Sequence, residues 1–152
     1  MGKRLLIVYH TQTGHTRRMA RAVLRGSRRV VEVETRLKMA LRAGLDDLLW
    51  ADGLLLGTPE NFGYMSGALK NFLDRTYYPA QGQISGLPYA VFISAGNDGT
   101  GALTSIERIA RGYPFKPVAD PIIARGELTA EILQRCEELG ETMASGVAWS
   151  IF

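Results

Sequence analysis

Short runs of aliphatic and β-branched residues alternate with stretches of helical periodicity along the whole chain, and this alternation limits the fold more than any other feature. Leu5–Tyr9, Val30–Thr35, Gly53–Gly57, Tyr89–Ser94 and Val118–Ala124 read as strands. The first, third and fourth are continuous apolar runs, as strands buried on both faces require. Pro121 demotes the fifth to an edge or bulged position. A first helix is expected from Thr16 to Arg25, ended by Gly26 and Ser27. A short helix spans Leu45–Trp50, and a third carries Leu69, Phe72, Leu73 and Tyr77 on one face. Pro79, Gly82, Gly86 and Pro88 mark a loop. A fourth helix carries Leu103, Ile106, Ala110 and Tyr113, and the last runs from Thr129 to Ala148. The expected fold is one α/β domain over residues 1–152, a doubly wound parallel sheet with helices on both faces. Ligands of such sheets bind at the carboxyl ends of strands where the winding reverses, which singles out the loops after strands one, three and four.

Composition narrows the function. Apolar residues make up 46% and charged residues 22%, and the net charge of +3 is too small to imply nucleic acid as a partner. No run approaches the length of a membrane span, and Leu5–Tyr9 is too short for a signal-peptide core, so no membrane association and a cytoplasmic location are expected. Cys136 is alone, so no internal disulfide forms. It lies in the pattern Ile132, Cys136, Leu139, Met143, Val147, which marks it as a small buried hydrophobe. One cysteine and two histidines supply no metal-ligand set.

The first loop is Thr11-Gln12-Thr13-Gly14-His15-Thr16. It leaves a buried strand and opens a helix, where free N–H groups and the helix dipole attract an anion. Three hydroxyls add donors, and His15 is a candidate donor to the same phosphate. The loop is neither a Walker A sequence nor G-x-G-x-x-G. A phosphate held by amides and hydroxyls suits the monoester of a flavin nucleotide; the plainer reading is a Thr-rich turn that caps the helix.

Here the chain resembles the flavodoxin family. Ile7, Val8, Tyr9, Thr11, Gly14, Thr16, Ala20 and Val23 match its FMN-binding signature. The resemblance implies a flavodoxin-like sheet of five parallel strands in the order 2-1-3-4-5, with FMN at the switch point; the general rule for such sheets takes flavodoxin as its own example. The second loop resembles the flavin-ring loop of flavodoxin-like NAD(P)H reductases and of tryptophan-repressor-binding-protein-type quinone reductases. The likeness lies in Pro59, Phe62-Gly63, Ser66-Gly67, Leu69-Lys70-Asn71 and Asp74. Ring-binding residues are expected among Thr58, Pro59, Glu60, Asn61, Phe62, Gly63 and Tyr64. Phe62 or Tyr64 would lie against the isoalloxazine, or Phe62 would be ordinary loop packing. The third loop, Ser94-Ala95-Gly96-Asn97-Asp98-Gly99, is expected to approach the pyrimidine edge, although Asp98 and Thr100 also read as helix caps. It lacks the histidine and the longer insertion of the quinone-reductase type.

Two functions follow most directly from the resemblance. One is an FMN-dependent oxidoreductase that passes hydride from NAD(P)H to a quinone or similar acceptor, with the chemistry carried by FMN and no catalytic side chain. The other is a small electron carrier that docks on redox protein partners. A flavin-binding regulatory protein is a third. Carrier flavodoxins are strongly acidic as a family. Here the net charge is positive, and only Glu60 and Asp98 are acidic in the two ring loops, which favours the enzyme. Reductases of this kind often form homodimers. Arg17, Arg21, Arg25 and Arg28 make a stripe along the first helix, either a solvated face or a docking surface for NADPH phosphates or an acidic protein.

Overall fold

The computed structural model describes residues 2–152. The expected alternation is present, and the elements in chain order are β1 (Lys3–Tyr9), α1 (His15–Ser27), β2 (Val33–Met39), α2 (Leu45–Trp50), β3 (Gly53–Asn61), β4 (Tyr64–Met65), α3 (Gly67–Ala80), β5 (Leu87–Ala95), α4 (Thr100–Ala110), β6 (Phe115–Pro117), β7 (Ile122–Arg125) and α5 (Ala130–Ala148). The main sheet runs β2-β1-β3-β5-β6, with β7 also paired to β5 and every one of these pairings parallel. This is the flavodoxin-like order 2-1-3-4-5, with the fifth strand delivered in two pieces. Pro117 and Pro121 bracket the break, and a residue without an N–H cannot carry the ladder through it. The expected strand Val118–Ala124 is corrected accordingly.

Alternation of side chains builds two cores, one on each face of the sheet. Leu6, Val8, Leu54 and Leu56 pack with α2, α3 and α4; Leu5, Ile7, Tyr9 and Leu55 pack with α1 and α5. Cys136 is buried in the second core. Glycine draws α1 and α5 together: a Cβ on Gly26 would meet the Glu137 carbonyl oxygen at 1.7 Å, and one on Gly140 would meet that of Val23 at 1.9 Å. Gly26 therefore packs a helix instead of ending one, and α1 continues to Ser27. Arg25 and Arg29 close the same seam by pairing with Glu137, so the arginine stripe is partly a structural clamp.

Other boundaries shift for local reasons. Val30-Val31-Glu32 form the turn after α1 and β2 starts only at Val33, with Val31 among the most exposed apolar residues. Pro79 sits inside the last turn of α3 rather than in a loop, and Tyr113 lies beyond the end of α4. Asp47 fastens α2 to β2 through Arg36 and Lys38, both at 2.9 Å. Burial alone would raise its carboxyl, but bonds from Lys38, the Gly44 amide and Arg36 hold it below the usual carboxylate range. No described helix is long and apolar enough to cross a membrane.

Candidate functional site

The carboxyl ends of β1, β3, β5 and β7 open on one edge of the sheet. A cavity of about 360 Å³ lies there. The first loop contributes Gln12, Thr13 and His15 to its wall, and the second contributes Pro59, Glu60 and Asn61. The third loop contributes Ser94, Ala95 and Gly96. All three loops singled out by the winding rule thus meet at one place.

Gly126 and Glu127, after β7, complete the wall and were missed in the sequence. The signal was present: Gly126 stands between a strand and the Thr129 cap of α5, at the same end of the sheet. The split of the fifth strand hid where that strand ends.

The remaining candidates build the loops instead of lining the cavity. Thr11 Oγ1 accepts from the Gly14 amide at 3.1 Å and from the Arg17 amide at 3.4 Å. Gly14 adopts φ 102° at the start of α1. This leaves the amides of Gln12, Thr13, His15 and Thr16 without a protein partner among the described residues. Free N–H groups just before and at a helix N-terminus form a donor set suited to a phosphate. Thr16 is buried, and its hydroxyl bonds Ser94 Oγ at 2.7 Å, tying the first loop to the third. Thr58 is buried as well; its hydroxyl donates to the Pro59 carbonyl and accepts from the Ser66 amide. Ser66 in turn caps α3 by accepting from the Leu69 amide.

The second loop is a β-hairpin. Glu60 pairs with Met65 and Asn61 with Tyr64, so Phe62 and Gly63 are its two turn residues. Their φ values of 53° and 70° are the positive pair that a type I′ turn demands. Phe62 is thereby thrown fully into solvent at the tip, and Tyr64 is exposed beside it. Neither lines the cavity, and Phe62, fully exposed, is not ordinary loop packing. The third loop closes on itself: Asp98 accepts from the Thr100 amide and hydroxyl, as a cap does, while Asn97 is exposed and Gly99 buried. Glu60 accepts from the amides of Gly99 and Ala102, which joins the second loop to the start of α4. Met65 donates to Ser105 Oγ along the same seam. Beside the first loop, burial holds the His10 imidazole below its ordinary value, so it is neutral at pH 7.

The family model for NADPH-dependent FMN reductases matches residues 31–121. The chain belongs to that family. The match takes in the second and third loops but not the first. A protein named flavodoxin from Aquifex aeolicus is 34% identical over 97% of this chain and 88% of its own length. A protein named NAD(P)H dehydrogenase (quinone) from Acidithiobacillus ferrooxidans is 34% identical over 68% of this chain and 62% of its own length. A flavodoxin from the domain Archaea superposes with a TM-score of 0.82 at 25% identity, covering 95% of this chain and 98% of that one. The reductase family and the flavodoxin fold therefore meet in this chain. The first loop, with its unpartnered amides, lies outside the residues matched by the family model.

Proposed function

We propose that this chain, as one domain over residues 1–152, binds a single FMN at the carboxyl edge of its sheet and passes hydride from NAD(P)H to a quinone or similar small acceptor. The observation that carries this reading is the convergence of Gln12, Thr13 and His15, whose amides are free, and the ring-side loops on one cavity. The amides of Gln12, Thr13, His15 and Thr16 would hold the phosphate, with the Thr11 hydroxyl fixing their loop. Pro59–Asn61 and Ser94–Gly96 would flank the ring from two sides. FMN when bound supplies the hydride acceptor and the electron relay. The protein's part is to bind it, orient it and leave one face open to the nicotinamide, which must approach within about 3–3.5 Å.

The family match and the relative named as a quinone dehydrogenase support the enzyme. The carrier reading has its own support in the flavodoxin from Aquifex aeolicus, which this chain matches over nearly its whole length. The lone free Cys136 suits a reducing cytoplasm. A homodimer would enlarge the flavin pocket. The reading is tested by steady-state oxidation of NADPH and NADH by the FMN-loaded protein, with and without benzoquinone. Quinone-dependent turnover that saturates in nucleotide is expected; oxidation no faster than that by free FMN would favour the carrier.

A further inference from the structure

Glu60 lines the cavity, yet both its oxygens are already engaged. Oε1 accepts from the Gly99 amide at 2.9 Å, and Oε2 accepts from the Ala102 amide at 3.1 Å. Gly99 is the cap position of α4 and Ala102 lies in its first turn, where amides lack intrahelical partners and the dipole favours an anion. Gly99 at the cap position has no side chain to offer. A carboxylate from β3 therefore does the work of a helix cap.

Two further contacts close the seam between this hairpin and α4. Met65 donates its amide to Ser105 Oγ at 3.1 Å. A Cβ on Gly101 would meet the Gly63 carbonyl oxygen at 2.1 Å, so the hairpin turn lies directly on the helix backbone.

We infer that Glu60 is a positioning residue for the flavin: it sets the gap between the second and third loops and brings a fixed negative charge to the cavity wall. The inference rests on the flavin reading given above. With both oxygens committed to amides, Glu60 acts on a bound ring through the placement of Pro59, Asn61 and Ala95 and through its field. Glu60→Gln keeps the shape but removes the charge and one acceptor, because the new NH2 cannot accept from an amide. Glu60→Ala removes the clamp.

The test has two arms on the full-length chain. In FMN-free protein, amide exchange at Gly99 and Ala102 is followed by NMR. At least one of the two should exchange about tenfold faster in Glu60→Gln, and both should in Glu60→Ala, as expected for loss of bonds to a charged acceptor. In FMN-loaded protein, the midpoint potential of Glu60→Gln should move to more positive values, because added electrons no longer meet the carboxylate. Unchanged exchange at both amides overturns the clamp. Faster exchange with an unchanged potential and unchanged FMN affinity overturns the role toward flavin and leaves a structural cap. Wild-type protein that takes up no FMN overturns the flavin reading itself, and with it this role, while the exchange arm still decides whether the clamp exists.

Discussion

The hydrogen bond between Thr16 and Ser94 joins the start of α1 to the end of β5, and its removal should be felt asymmetrically. The two oxygens lie 2.7 Å apart, with Thr16 1% and Ser94 7% exposed. Ser94→Ala strands the Thr16 hydroxyl in the interior, where an unsatisfied polar group costs about 1–3 kcal/mol. Thr16→Val strands Ser94 instead, but Ser94 lines the cavity and water can reach it. That variant should therefore lose less, on the order of 1 kcal/mol. The double variant replaces both partners and should recover about 1 kcal/mol relative to the sum of the singles. Urea unfolding of the wild type and the three variants, with equal slopes, gives the cycle directly. Losses that add to within about 0.5 kcal/mol would refute the bond as the tie between these loops.

Other outcomes follow from the same geometry. Thr11→Ala should weaken FMN far more than riboflavin in a calorimetric titration, because Thr11 shapes the loop whose amides are proposed to hold the phosphate; equal losses would sink the phosphate assignment. Phe62→Gly should stabilise the apoprotein to urea, since an exposed phenylalanine at φ 53° gains nothing from packing; a loss of more than about 0.5 kcal/mol would mean that Phe62 is packed after all. Burial pushes the Cys136 thiol and the Tyr113 phenol each up to about 12. The native state then holds protons that the unfolded chain releases, so stability should fall as pH rises from about 9 to 11. A urea midpoint flat over that range would contradict the burial of both groups.

Much of the fold was legible because β1, β3 and β5 are buried on both faces and so read as unbroken apolar runs. β2 was misplaced because Val30 and Val31 look like strand residues, whereas the backbone bonds from Arg29, Val30 and Val33 make them part of a turn. The hairpin at Phe62-Gly63 went unread because Phe is an unusual residue for a left-handed position, and two-residue turns are normally announced by Asn or Asp before Gly. At the site, loop positions were visible from strand order, but the direction of each side chain was not. Thr16 and Thr58 carry hydroxyls that suggest ligand donors, and both spend them on the protein. Glu60 reads as a ring-loop acid, and its engagement with α4 depends on a contact across 39 residues that no local pattern encodes.

In the proposed reaction a reduced nicotinamide delivers hydride to flavin held in this cavity. Anaerobic stopped-flow mixing of the FMN-loaded protein with NADPH, and separately with NADH, tests it most directly. Bleaching of the flavin at a rate that saturates with nucleotide is expected, followed by recovery of the oxidised spectrum when a quinone is added. Flavin that dithionite bleaches at once, but that neither nucleotide bleaches within minutes at millimolar concentration, would contradict it and leave an electron carrier in its place.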